Sequence, residues 1–356
     1  MWPGIRTTAG DWRPARWWRR VPELAEFGTV REIPFRRLSS HALTSADWLD
    51  LARTVQTLLD RADCDGVVIT HGTNTLEETA YFLRLTVNSD KPVGLTGAMR
   101  PASALGADGY LNLVRAVQVA AAPQARGRGV LVVMNDRIHD ARDVTKASTM
   151  RVDAFVAPDS GPLGSTDTDG LVVFSRERTH PDSPIFTLPD VLPRVDIVLS
   201  YVDADGVFVE AAVAAGAKGI VCAATGAGWP TPLQQTALER AAANNVVVCF
   251  ASRTGSGRVP HTRPGPGDHR CHRGQPFAME GQSAAGARPH PDHRPRRDPT
   301  PLRPQLTEVR RRASHPSDSA SSEVLYRYMR MSGTTAQLFR SKSVQFRPTW
   351  GQKIGR

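Results

Sequence analysis

Residues 70–82 read THGTNTLEETAYF and follow directly on the apolar run DGVVI. Two threonine hydroxyls, an imidazole and an amide therefore stand where a strand should end and a helix begin. Free N–H groups and the helix dipole at such a place favour an anion, for example a carboxylate. The stretch also has a purely structural use, because Thr75 and Glu78 have the T-x-x-E spacing of a capping box. Lys146, in the polar segment NDRIHDARDVTKAS after the strand-like GVLVVMND, favours chemistry. A hydroxyl that attacks an acyl carbon needs a base, and a lysine amine withdrawn from water supplies one. The candidates are Thr73, Asn74 and Lys146, and the chemistry such groups could do together is acyl transfer; taken alone, Lys146 reads as a solvated surface residue.

The elements around these residues alternate. DGVVITHG, KPVGLTGA and RGVLVVMND read as strands, and TLEETAYFLRLTV and YLNLVRAVQVAAA as the helices between them. Nearly continuous apolar strands in such a rhythm imply a parallel sheet covered on both faces, a doubly wound α/β fold. Ligands of that fold bind outside the carboxyl ends of the strands, where Thr73 and Asn74 fall. LTSADWLDLARTVQTLLD is a further helix with Thr44 or Ser45 as its N-cap, and TDTDGLVVFSRERT reads as an edge strand. The proline-punctuated HPDSPIFTLPDVLPR is a connector, after which the alternation restarts and stops near TGSGRV. The expected organisation is an α/β domain over residues 1–185, a linker at 186–195, a smaller α/β domain at 196–258 and a tail at 259–356.

The chain has 356 residues and a formal net charge of +10, which would suggest a nucleic-acid partner. Position argues otherwise: residues 259–356 hold 18 Lys and Arg against 7 Asp and Glu, leaving 27 against 28 for residues 1–258. The tail also holds 12 of the 27 prolines and shows no apolar period, so disorder is expected there. Its HRCH (His269, Cys271, His272) offers too few ligands for a zinc site. Four scattered cysteines without C-x-x-C spacing read as reduced thiols. No segment is long and apolar enough for a membrane span, and the first residues do not form a secretory signal, so a cytoplasmic location is expected.

Three long motifs carry a resemblance. GVVITHGTNTLEETAYFL, KPVGLTGAMRPASALGADGYLNLVRAV and GVLVVMNDRIHDARDVTKASTMRVDAF, with DSGPLG, PRVDIVLSYVDADG, AAGAKGIV and SRTGSGRV after them, resemble the bacterial-type L-asparaginase family over about residues 21–259. The resemblance implies hydrolysis of L-asparagine to aspartate and ammonia, often with some activity on L-glutamine. It implies a homotetramer of two-domain subunits that needs no cofactor and no metal. Matched motif by motif, Thr73 and Lys146 fall on the family's threonine and lysine that activate the nucleophile. Ser40 in RLSSHALTSADWL falls on the serine that holds the substrate carboxylate, His41 on the polar residue beside it, and Ala98 on the alanine whose carbonyl faces the substrate amide.

Three departures qualify that expectation. The family's glycine-rich GGTIA-like turn, which carries the primary threonine nucleophile, is not found; RTTAG places Thr7 where a lid tyrosine is expected. Asn74 stands where the family has an aspartate that pairs with the substrate ammonium. Trp229 stands where a neighbouring subunit gives an asparagine. Two other readings follow: a catalytically silent relative that binds a small amino acid, and the asparaginase-like subunit of a tRNA-dependent amidotransferase. The arginine-rich stretch 288–312 of the tail has no aromatic residue interleaved with its arginines, as a base-stacking surface would have, which argues against RNA. No strand leads into G-x-G-x-x-G, which argues against a dinucleotide-binding dehydrogenase.

Overall fold

The computed structural model describes residues 21–178 and 185–259. Thr7, Thr8, His269, Cys271 and His272 lie outside the described residues, as do the expectations for the tail beyond residue 259.

The first unit is built on β1 (Val67–Thr70), β2 (Val93–Thr96), β3 (Val130–Met134), β4 (Arg137–Asp140), β5 (Thr145–Lys146), β6 (Phe155–Val156), β7 (Gly164–Thr166) and β8 (Val172–Phe174). Six of these form one sheet in the order β1-β2-β3-β4-β7-β8. Helices α1 (Ser45–Leu59), α2 (Leu76–Thr86) and α3 (Gly109–Ala121) cover it. Strand parity dictates which helix covers which face. Val67, Val93 and Val130 share one register row and pack with the α1 and α2 side chains. Val68, Gly94 and Leu131 form the next row; Val68 and Leu131 pack with Ala116 and Val119 of α3, and Gly94 faces Ala116. The strands are thus buried on both faces, which is why they read as continuous apolar runs.

Beyond β3 the sheet changes sense. β1, β2 and β3 are parallel, whereas β4, β7 and β8 continue it antiparallel, with β8 at the edge. The switch is made by Asn135 and Asp136, both in the left-handed region with φ of 51° and 59°. Such a two-residue turn matches the twist of a hairpin and favours Asn and Asp. The segment RIHD, read from sequence as part of a polar connection, is therefore strand β4. A separate ribbon of β5 and β6 carries Lys146.

Thr44 is the N-cap of α1. Its side chain accepts from Asp47 N at 3.3 Å while the Asp47 carboxylate accepts from Thr44 N at 2.9 Å. The hydrogen bonds from Thr44 hold the Asp47 carboxyl below the usual carboxylate range. The buried face of α1 then follows at Trp48, Leu51, Ala52, Val55 and Leu59.

The second unit is a three-stranded parallel sheet, β9 (Val195–Leu199), β10 (Gly219–Ala224) and β11 (Val247–Ser252), with β10 central. Its helices α4 (Val207–Ala214) and α5 (Pro232–Ala243) pack together with Ile220, Cys222 and Val248. Cys64 and Cys222 are free thiols.

His139 on β4 has a pH consequence. It is 1% exposed and neither ring nitrogen has a hydrogen-bond partner. Burial, aided by Arg137 and Arg176, pushes its pKa down from 6.5 to about 4. As pH falls from 6.5 towards 4, the unfolded chain gains a proton the folded chain refuses, so stability drops over that window and this contribution levels off below it. The expected loss is about 2–3 kcal/mol. Urea unfolding of the protein and of His139→Phe checks it: the variant's stability should change less over that window.

Candidate active site

Two glycines bring the strand tips together. A Cβ on Gly72 would lie 2.7 Å from Ser40 Oγ, and one on Gly97, just past β2, would lie 2.5 Å from the His71 carbonyl oxygen and 3.2 Å from Thr73 Cγ2. Neither position tolerates a side chain without a shift of its neighbours. The loop after Gly97 is tied down from α3. Asn112 donates to Gly97 O at 3.0 Å and accepts from Asn135 N at 3.0 Å, so one buried amide fastens the ends of β2 and β3. Asp108 accepts from Met99 N and Arg100 N, both at 2.9 Å, which fixes the backbone just after Ala98, itself exposed on the loop.

Lys146 reaches into this edge from β5. Its Nζ donates to Thr73 Oγ1 at 2.9 Å, and its backbone N–H donates to the Glu77 carboxylate. Burial lowers the Lys146 pKa and the Glu77 charge opposes that, with burial the stronger effect. An ammonium at this place can only donate to Thr73, whereas a neutral amine can accept its hydroxyl proton. Depressing the pKa therefore shifts the pair toward proton abstraction. Glu78, buried beside Glu77, is pushed up to about 7.

Ser40 opens a short 3-10 turn, Ser40–Ala42, and is 3% exposed. Its Oγ has no hydrogen-bond partner among the described residues, while its carbonyl accepts from Thr75 Oγ1 at 2.9 Å. That bond corrects the expectation for Thr75. α2 has no side-chain N-cap, because Thr75 sits at φ −130° and ψ 21° rather than in the extended region a capping residue adopts. Its hydroxyl ties Ser40 to the turn instead. His41 Nδ1 lies 2.8 Å from Ser39 Oγ and 3.5 Å from Asn74 Nδ2. The second distance is too long for a strong hydrogen bond.

Thr73 and Lys146 are thus in direct contact, Ser40 is packed against Gly72, and Asn74 and His41 stand beside each other on the same rim. Trp229 belongs to the second unit, half-exposed in a tight turn closed by Thr225. A surface cavity of about 410 Å³ lies at the β3–β4 turn, lined by residues such as Arg137, Thr166 and Asp167 and by none of the candidate residues. Sequence reasoning passed over Glu77, Gly97 and Asn112. The only signal for Glu77 was its place in the first turn of α2, one residue before the glutamate assigned to a capping box.

These features define an α/β protein of two units with a hydroxyl–amine pair at the carboxyl ends of its parallel strands. The chain belongs to the asparaginase family: residues 6–179 match the family model "Asparaginase, N-terminal", and residues 194–280 match "Glutaminase/Asparaginase C-terminal domain". The matched span starts earlier and ends later than the motifs alone suggested. The chain is 43% identical over 243 residues to "L-asparaginase 2" of Bacillus subtilis, covering 67% of this chain and 64% of that protein. It is 42% identical to "Probable L-asparaginase periplasmic" of Haemophilus influenzae, covering 67% of this chain and 68% of that one. The chain thus spans about two thirds of the length of these relatives. The crystal structure of "Probable Cytoplasmic L-asparaginase" from Campylobacter jejuni superposes with a TM-score of 0.66 at 39% identity, covering 69% of this chain and 79% of that chain. Among the described residues, no helix is long and apolar enough to cross a membrane.

Glu77→Gln keeps an oxygen for the Lys146 N–H and removes the charge. The Lys146 pKa should then fall further, since the only effect raising it is gone. An ¹⁵N titration of the Lys146 amine measures this, and an unchanged or higher midpoint would refute the assigned balance.

Proposed function

We propose that this chain carries an L-asparaginase-type site, which hydrolyses the side-chain amide of L-asparagine to give L-aspartate and ammonia. The observation that carries the reading is the 2.9 Å contact between Lys146 Nζ and Thr73 Oγ1 at the edge where a doubly wound sheet binds its ligands. In this proposal Lys146, as the neutral amine, takes a proton through the Thr73 hydroxyl from the attacking water or nucleophile. The Ser40 hydroxyl, with His41 beside it, holds the substrate α-carboxylate. The Ala98 carbonyl faces the amide that leaves as ammonia. L-Glutamine, one methylene longer, is the second substrate of the proposal. No cofactor or metal enters any step.

Turnover by the 356-residue polypeptide is proposed to be weak, for two reasons of chemistry. Its sequence has no glycine-rich threonine turn of the GGTIA type, and loss of a nucleophile typically reduces rate by several powers of ten. Asn74 also offers an amide where a carboxylate would pair with the substrate ammonium, and one charge-assisted hydrogen bond is worth roughly 1.5–3 kcal/mol. Asn74 is equally the observation that favours the second reading, an amino-acid-binding relative without turnover. Assembly into a homotetramer belongs to the same proposal. It is supported by Val202, Val207, Phe208 and Leu233, apolar side chains exposed on the second unit.

Ammonia release from L-asparagine by the purified protein, with Thr73→Ala and Lys146→Met beside it, tests the chemistry. Any wild-type rate should disappear in both variants, and Asn74→Asp should bind L-aspartate at least about tenfold more tightly in calorimetry. Hydrolysis that survives Thr73→Ala would place the reaction elsewhere.

A further inference from the structure

We propose that His71 is a positioning residue of this site: as a neutral imidazole protonated on Nδ1, it holds the Gly72–Thr73 peptide in the orientation that turns Thr73 toward Lys146. The inference rests on the reading of Thr73, Lys146 and Ser40 as one site. His71 Nδ1 lies 2.7 Å from Gly72 O, and a carbonyl can only accept, so Nδ1 carries a proton. On the other side of the ring, Nε2 lies 3.0 Å from Thr79 Oγ1, which in turn lies 2.8 Å from Trp48 Nε1. The indole N–H can only donate, so Thr79 accepts from Trp48 and its own proton is left for His71 Nε2. Among the described residues Thr79 Oγ1 has no other hydrogen-bond partner for its proton than His71 Nε2, and with that proton given to the ring, donor and acceptor alternate from the core to the turn around a neutral imidazole. Burial favours the same form, since it lowers the His71 pKa.

A core histidine satisfied for stability alone has no need to bond the next residue's carbonyl. That bond ties no distant segments together; it fixes one peptide plane. The plane belongs to Gly72, the residue type whose backbone is freest to rotate. Gly72 must also stay glycine, because a Cβ there would meet Ser40 Oγ at 2.7 Å. The turn thus needs a flexible residue at the point where it most needs a fixed one, and the His71 ring resolves the conflict. The fixed end of the relay is firm: Thr79 is fully buried, and Trp48 stacks on Phe82 with ring centroids 5.4 Å apart. His71 touches none of the proposed reacting groups itself and acts through Gly72.

Long-range ¹H–¹⁵N correlation on the wild-type protein at neutral pH should find His71 protonated on Nδ1 and bare on Nε2; protonation on Nε2 alone would overturn the inference. His71→Leu removes both bonds, whereas His71→Asn keeps an N–H that reaches the same carbonyl. In crystal structures the Thr73 Oγ1–Lys146 Nζ separation should open beyond about 4 Å in the Leu variant and stay near the wild-type 2.9 Å in the Asn variant. L-Aspartate should bind about tenfold more weakly to the Leu variant, and the Asn variant should recover most of the loss. A Leu variant with the contact intact and unchanged affinity would sink the proposal. A wild-type protein that does not bind L-aspartate would count against the proposed function, while the tautomer and the Thr73–Lys146 separation would still decide for or against His71.

Discussion

Parallel strands that end at one edge leave their last backbone groups pointing into the same space, and everything at the candidate site depends on how those groups are satisfied. β1, β2 and β3 all finish there, and the parallel ladder between β2 and β3 stops at Leu95 and Val132, which leaves the backbone groups beyond it to be satisfied. Side chains satisfy them. Thr96 Oγ1 donates to Val133 O at 2.8 Å, Asn112 ties Gly97 to Asn135, and Asp108 collects Met99 N and Arg100 N. Buried polar groups left without partners cost about 1–3 kcal/mol each. The edge is therefore polar by necessity, and a polar crevice lined by fixed groups is what a small charged ligand requires.

The electrostatics of the crevice are set by opposition. Lys146 is buried enough to lose basicity, yet Glu77, on the first turn of α2, holds its backbone and returns part of the charge stabilisation. Burial, aided by the same carboxylate, pushes Glu78 upward. Asn74, beside His41 on the same rim, is a neutral amide, so the rim offers a substrate ammonium less negative charge than an aspartate would. Under the proposed function, that single neutral residue weakens ground-state binding more than it disturbs Thr73 and Lys146, whose contact does not run through it.

Much of this was legible in the sequence because it is written in local patterns. Strand–helix alternation yields the parallel half of the sheet, and T-S-A-D marks the start of α1 with its reciprocal Thr44–Asp47 cap. Thr73 and Lys146 could be named from residue chemistry, placement after strand-like runs and motif resemblance. What was not legible is decided by long-range contact. RIHD contains two charged residues and one imidazole, and only burial between β3 and β7 makes it a strand. Thr75 has the capping-box spacing, but whether its hydroxyl turns to α2 or to Ser40 depends on a segment 35 residues upstream. The partner of His71 Nε2 is a helical threonine whose own acceptor is filled by a tryptophan of another helix, and no spacing rule encodes such a chain.

Ser40 and His139 show why an unpartnered buried polar atom has to be read by its place. Both carry side-chain atoms without protein partners, and both residues are 3% exposed or less. His139 lies in the sheet, flanked by Arg137 and Arg176, where any proton it takes adds positive charge to a dry, already positive surrounding. Its lack of partners is a cost borne by the fold and felt as acid sensitivity. Ser40 is different: its backbone is fixed by Thr75, its hydroxyl is packed against a glycine that has no side chain to cover it, and that glycine is one residue from Thr73. The Ser40 hydroxyl has a proton to give and no acceptor for it among the described residues, at the edge where the proposed function places the substrate carboxylate. Under the proposed function the same thermodynamic penalty is thus a defect in one place and, in the other, binding capacity for a ligand oxygen.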